Sequence, residues 1–170
     1  MNKAPEDQQI IKAREDRRII REMTEADLDR VTEIERANFS VPWKKKDFYD
    51  FMIRDDTIFL TAAEGDEIAG YIGFYGYPDE GDITNVSVDA AYRQRGIGRA
   101  LLDELSRRAS DRGITKIFLE VRESNADAIR LYRSAGYEQV GLRKDYYSSP
   151  KENALIMRRD AAAVEKDINN

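Results

Sequence analysis

The chain has no cysteine and no histidine among its 170 residues. The first absence excludes disulfides, thiolate metal sites and a covalent cysteine intermediate. The second excludes Ser-His-Asp triads, His-Glu-x-x-His zinc sites and the commonest general base. Any proton this protein moves must pass through a carboxylate, a tyrosine, a lysine or water. Long apolar runs are missing too. No stretch approaches the roughly 20 apolar residues that span a bilayer, and the N-terminus carries no apolar signal core. Nor is there a basic excess: formal net charge is −5 and the pI lies near 5.0, which argues against nonspecific nucleic-acid binding. The composition implies a soluble cytoplasmic protein without a membrane or direct nucleic-acid partner and without a metal. Its length suits a single domain with one sizeable core.

The pattern along the chain predicts an α+β domain over residues 18–159, with a polar N-terminal arm over 1–17 and a polar tail over 160–170. Arg18 to Met23 reads as a first strand. Thr24-Glu-Ala-Asp27 resembles a capping box opening a helix with Leu28, Val31, Ile34 and Ala37 on one face. Pro42 ends that helical region and a shorter helix follows from Lys44 to Arg54. Thr57–Glu64, Glu67–Tyr77 and Gly81–Asp89 read as a three-strand meander, its first turn at Gly65-Asp66. The main helix runs from Gly96 to Arg112 and stops at Gly113; a strand spans Thr115–Arg122, and a helix from Ala126 to Ala135 closes at Gly136. Tyr137–Arg143 and Ala154–Arg158 read as two last strands around a Tyr-Tyr-Ser-Ser-Pro loop.

The segment richest in chemistry is Val86-Ser-Val-Asp-Ala-Ala-Tyr-Arg-Gln-Arg-Gly-Ile-Gly-Arg99. An apolar strand runs into a basic turn with two glycines and straight into a helix. Gly96 and Gly98 open backbone conformations closed to other residues, so successive N–H groups can converge on an anion. The helix N-terminus adds unpaired donors, and Arg93, Arg95 and Arg99 place charge at the rim. The motif lacks the Gly-Lys-Ser/Thr of a P-loop. Leu101 stands where a dinucleotide fingerprint needs its third glycine, although Glu120 lies at the spacing of a ribose-binding acid. The features together indicate a pyrophosphate cradle.

Farther on, Leu119-Glu-Val-Arg122, Ser124-Asn125 and Ala128-Ile-Arg-Leu-Tyr-Arg-Ser-Ala-Gly-Tyr137 complete a pattern with Arg93 to Gly98. From about Ile19 to Arg158 the chain resembles the GNAT superfamily of N-acetyltransferases. Val41-Pro-Trp43, Leu131-Tyr132 and Tyr146-Tyr147 point to its RimI-like branch of ribosomal-protein alanine and other protein N-terminal acetyltransferases. The resemblance implies a mixed, mostly antiparallel sheet of six or seven strands flanked by about four helices, splayed into a V that takes acetyl-CoA. It implies direct acetyl transfer to the N-terminal amine of ribosomal or nascent proteins, with ribosome association as a corollary. By position, Val86, Ser87 and Val88 would face pantetheine. Gln94, Arg95, Gly96, Ile97, Gly98 and Arg99 would surround the pyrophosphate, and Asn125 would bond the cofactor. Glu120 matches the proton acceptor and Tyr132 the donor to the leaving thiolate. Phe39, Trp43, Tyr146 and Tyr147 are candidates for the peptide-binding wall.

Other readings of the same residues stay open at this level. Glu120 reads equally as a structural glutamate paired with Arg122 or Lys116, and Tyr132 as a core aromatic. Asn125 also suits the N-cap of the following helix. Phe39 and Trp43 suit closure of the core. Glu35, one turn before the Phe39–Trp43 loop, is either a group that holds the substrate amine or an ordinary solvated helix charge. Acetylation of a small amine such as a polyamine or aminoglycoside, acetylation of lysine, or acetyl-CoA binding without transfer would use the same cradle.

Overall fold

The computed structural model describes residues 18–76 and 78–160. The N-terminal arm, the tail from residue 161 and Tyr77, placed at the end of a meander strand, lie outside the described residues. Strands β1 (Arg18–Glu22), β2 (Thr57–Glu64), β3 (Glu67–Gly76), β4 (Glu80–Val88), β5 (Lys116–Arg122), β6 (Glu138–Ser148) and β7 (Lys151–Asp160) form one sheet in the order β1-β2-β3-β4-β5-β7-β6. Every neighbouring pair is antiparallel except β4 and β5. That parallel step needs a crossover, supplied by the long helix between the two strands. The helices are α1 (Leu28–Asn38), α2 (Lys45–Met52), α3 (Ile97–Asp111) and α4 (Ala126–Ser134). The expected mixed, mostly antiparallel sheet is present. No described helix is long and apolar enough to cross a membrane.

Two apolar clusters hold the layers together. α3 presents Ile97, Leu101, Leu102, Leu105 and Ala109 to one face of the sheet, where they are fully buried with Ile117, Leu119 and Met157. Each buried leucine contributes about 1.5–3 kcal/mol relative to exposure. On the opposite face, Leu28, Val31 and Ile34 of α1 and Phe48 of α2 pack on Phe59 and Tyr71. The Thr24–Asp27 capping box forms as expected, but it opens a short 3₁₀ turn before α1. Asp27 accepts the Thr24 N–H at 2.8 Å and a two-pronged pair from Arg21 at 2.7 and 2.8 Å. These donors hold its carboxyl below the usual range against the opposing effect of burial.

The last hairpin departs from expectation. Tyr146 and Tyr147 are not in a loop: β6 continues to Ser148, and only Ser149-Pro150 makes the turn. Register irregularities between Arg143 and Tyr147, with Asp145 at φ 53°, let the strand extend past a local break. Aromatic side chains favour the pleated surface, and β7 supplies the partner that a local reading could not see.

Candidate active site

The site begins where β4 and β5 part. They pair only at Glu80–Lys116, Gly81–Ile117 and Asp82–Phe118; beyond that point neither strand is partnered by the other. A bulge in β4 accompanies the separation, since Gly73 of β3 sits opposite Asn85 while the adjacent Phe74 sits opposite Ile83. The extra residue, Thr84, resets the alternation of side chains. Ile83, Val86 and Val88 pack toward α3, whereas Ser87 is buried on the other face and accepts a hydrogen bond from Asn38 Nδ2 at 2.6 Å. Ser87 therefore offers the gap its main chain and not its hydroxyl. The parted edge leaves extended backbone between the two strands.

The turn after β4 is built for an anion by its main chain. Gln94 (φ 58°) and Gly96 (φ 76°) are both left-handed, and α3 starts at Ile97. Among the described residues, no N–H from Gln94 to Arg99 finds a partner; the first helical amide to do so is that of Ala100, bonded to Gly96 O at 3.0 Å. Converging free amides at a helix start form an anion site. Gly98 plays a different part from the one its motif suggests. It lies inside the helix, and a Cβ there would meet Leu131 Cδ2 of α4 at 2.9 Å, so it permits close helix packing. Only Gly96 needs glycine for its dihedral angle.

The arginines of the motif are already engaged with the protein. Arg93 bonds Asn38 Oδ1 and Val88 O; Arg95 bonds Ala91 O at 2.9 Å and Glu64 at 3.3 Å; Arg99 bonds Asp103 at 2.8 Å and Ser134 O at 2.7 Å. Beneath the turn, Arg18 pairs with Glu64 at 3.1 Å and donates to Arg95 O at 2.6 Å. These contacts brace the loop, and the main-chain amides supply donors that no side chain of the protein occupies. The Asn125 side chain caps α4 by accepting from Ala128 N at 3.2 Å, while its amide nitrogen has no protein partner among the described residues.

Across the gap, Glu120 of β5 is partly exposed. It pairs with neither Arg122 nor Lys116. Its Oε2 accepts from the Tyr146 hydroxyl at 3.0 Å, and its Oε1 pairs with Arg143 Nε at 3.2 Å. Arg143 also lies over the Tyr146 ring. Asp82 adds a second carboxylate at the point of parting. Burial raises its pKa first, with the nearby Glu120 and Glu80 charges adding to the rise. Tyr132 is buried in the α3-side core, edge-on to Tyr137 at 6.0 Å, and desolvation pushes its hydroxyl well above the ordinary phenol range. Tyr147 lies near enough to Tyr132 to influence it electrostatically, and its own hydroxyl is pushed up to about 12, chiefly by burial.

A wall rises on the α1 side of the sheet. Phe39 is exposed, but the Trp43 ring packs on Phe48 and Phe51 at 5.3 and 4.9 Å and so closes the core. Ser40 Oγ donates to Ser149 O at 2.9 Å and links this loop to the β6–β7 turn. Arg122 clamps that turn. It donates to Pro150 O and Ser149 O at 3.0 Å each, pairs with Glu152 at 3.3 Å and lies 4.1 Å over the Tyr147 ring. Glu35 is neither solvated nor open to a substrate amine; it is 2 % exposed and bonded to the protein. Asp82 and Arg143 escaped the sequence reading because lone charges on strands carry no motif. Arg122 was within a quoted motif, yet its long-range partners were invisible.

A model of the acetyltransferase (GNAT) family matches residues 28–137. The chain is 38% identical over 145 residues to the N-alpha-acetyltransferase RimI of Mycobacterium tuberculosis, covering 82% of this chain and 90% of that protein. An uncharacterised protein of Mycobacterium leprae is 38% identical over 149 residues, 84% of this chain, which spans only 41% of that longer relative. Among solved structures, the ribosomal-protein-S18-alanine N-acetyltransferase of Escherichia coli superposes with a TM-score of 0.79 at 29% identity, covering 90% of this chain and 99% of that one. The parted strands, the amide cradle and these likenesses agree: the chain belongs to the GNAT family of acetyltransferases.

Proposed function

We propose that this protein is a protein N-terminal acetyltransferase that moves an acetyl group from acetyl-CoA to the α-amine of a ribosomal or nascent polypeptide. The observation that carries the reading is the separation of β4 from β5 beyond Asp82, with free amides on one side and Glu120 on the other. The residues fit the cosubstrate. The amides of Gln94 to Arg99 would hold the diphosphate, the open β4 edge from Thr84 to Ser87 the pantetheine, and the Asn125 amide nitrogen a further polar group. Bound there, acetyl-CoA supplies an activated acetyl thioester. The relatives support the acceptor class, being RimI and ribosomal-protein-S18-alanine N-acetyltransferases.

The chain's own residues divide the work. An α-amine, with a pKa near 8, is roughly one-tenth neutral at pH 7, whereas a lysine near 10.4 costs about 3 kcal/mol more to deprotonate. Glu120 receives the proton from the easier donor, directly or through one water. Arg143 and Tyr146 fix its orientation. Main-chain N–H at the parted edge near Val86 holds developing negative charge without any side-chain donor. Tyr132, whose hydroxyl burial keeps protonated, is assigned as the donor to the departing sulfur on its position in the family motif. Initial rates with Ala-, Ser- and Met-initiated peptides, read by intact mass, test the proposal. Acetylation of the terminal amine is expected; transfer to polyamines or lysine side chains alone would overturn it.

A further inference from the structure

Glu35 is a buried carboxylate that the proposed chemistry does not use. It lies in α1, 2 % exposed. Its Oε1 accepts the main-chain N–H of Trp43 at 3.0 Å, and its Oε2 accepts the hydroxyl of Tyr71 from β3. The Asn85 amide lies beside it, next to the β4 bulge, with its oxygen taken by Thr84 Oγ1 at 2.7 Å. A charge left in an apolar layer is costly unless several donors satisfy it. Here the two donors come from the loop and β3, and the Asn85 amide nitrogen of β4 is buried nearby without a hydrogen-bond partner. The loop and the Asn85 segment both border the site. Trp43 ends the Phe39–Trp43 loop that reaches the β6–β7 turn through Ser40, and Asn85 adjoins the point where β4 leaves β5.

We infer that Glu35 is a positioning residue for the acceptor wall: it holds the Phe39–Trp43 loop by its main chain and ties it to β3 through the Tyr71 hydroxyl. The inference rests on the N-terminal acetyltransferase reading and adds to it a determinant of acceptor binding that touches neither substrate. Burial raises the pKa of the Glu35 carboxyl above its ordinary value, opposed by the Trp43 N–H and the Tyr71 hydroxyl that donate to it. The titratable group that faces it is Tyr71, which burial and Glu35 itself keep protonated; β4 contributes only Asn85 and, beside Tyr71, Ser87. Protonation of Glu35 weakens two charge-assisted hydrogen bonds at once, so the loop loosens as pH falls.

The test uses the full chain, peptide and acetyl-CoA kinetics, and the emission of Trp43, the sole tryptophan. Glu35→Ala is expected to raise peptide KM at least tenfold, leave acetyl-CoA KM within twofold and shift Trp43 emission to the red. Tyr71→Phe disturbs the same buried layer but leaves the Trp43 bond in place. It should lower the thermal midpoint while peptide KM stays within twofold and the emission is unchanged. Glu35→Gln retains an acceptor for the Trp43 N–H, so its peptide KM should be intermediate. It also cannot titrate: the wild-type KM should rise toward acidic pH relative to this variant's. Should Glu35→Ala not fold, the intermediate KM of the Gln variant and the rise of the wild-type-to-variant KM ratio toward acidic pH carry the test. Unchanged peptide KM in the Glu35 variants, or an equal rise in Tyr71→Phe, overturns the inference. If the wild type acetylates no peptide, the functional reading fails separately. The emission then decides the strut, with a red shift in Glu35→Ala but not in Tyr71→Phe supporting it and no difference overturning it.

Discussion

The two sides of the V are made of different materials. On the β4 side, the cradle is a short continuous stretch, Gln94 to Arg99, whose donors are main-chain amides. On the β5 side, the proposed acceptor groove is assembled from side chains far apart in sequence: Glu120, Arg143 and Tyr146 on two strands, with Arg122 anchoring the hairpin behind them. A backbone site depends on φ and ψ, tolerates changes in its side chains and is sensitive to one glycine. A side-chain site depends on each residue and on the strand register that brings them together.

Five substitutions would sharpen or break that contrast. The largest effect is expected for Glu120→Gln, which should lower kcat on peptides by about 10²-fold or more, as loss of a general base does. Calorimetric CoA affinity should stay within twofold, and wild-type rates would remove Glu120 from the chemistry. Next comes Gly96→Val. A β-branched residue at φ 76° carries strain of order 1–3 kcal/mol, so CoA affinity should fall about tenfold or more. Arg95→Ala, measured the same way, should lose no more than about threefold, because Glu64 and Ala91 hold two of its nitrogens in the protein. Equal losses in these two variants would break the distinction between a main-chain and a side-chain cradle.

Arg122→Ala should act only on the acceptor side, raising peptide KM about fivefold through a looser β6–β7 turn while leaving CoA binding alone. The smallest effect belongs to Glu104, on the outer face of α3. Hydrogen bonds to Arg107 and Arg108 lower its pKa to about 2 from an ordinary 4.5. A depressed acid stabilises the fold above the unfolded pKa and loses that contribution as pH falls through the folded one. The group is largely solvated, so Glu104→Gln should cost under about 1 kcal/mol at pH 7. By thermal denaturation, that difference should vanish toward pH 2, and neither ligand should notice it.

The meander, the crossover helix and the glycine turn that opens it were legible because each is local. Apolar residues at helical spacing from Ile97 to Ala109, the glycines at 65, 96 and 113, and the Thr24–Asp27 box all act within a few residues of themselves. Their energies do not depend on what lies across the sheet. The roles inside the cradle were less legible. Gly98 serves packing against Leu131 and a glutamine takes one of the left-handed positions, which a motif of two glycines does not reveal.

Tertiary structure alone decided the partners. Glu120 is charged whatever its surroundings, but only the pairing of β5, β7 and β6 selects Arg143 and Tyr146 as its neighbours over the adjacent Arg122. Glu35 occupies an ordinary helix position, and only packing of α1 on β3 and β4 turns it from a solvated charge into a buried strut. Local periodicity determines which face of an element is apolar. Which charges meet across elements follows from strand order and register, and these are set by the summed burial of the whole sheet.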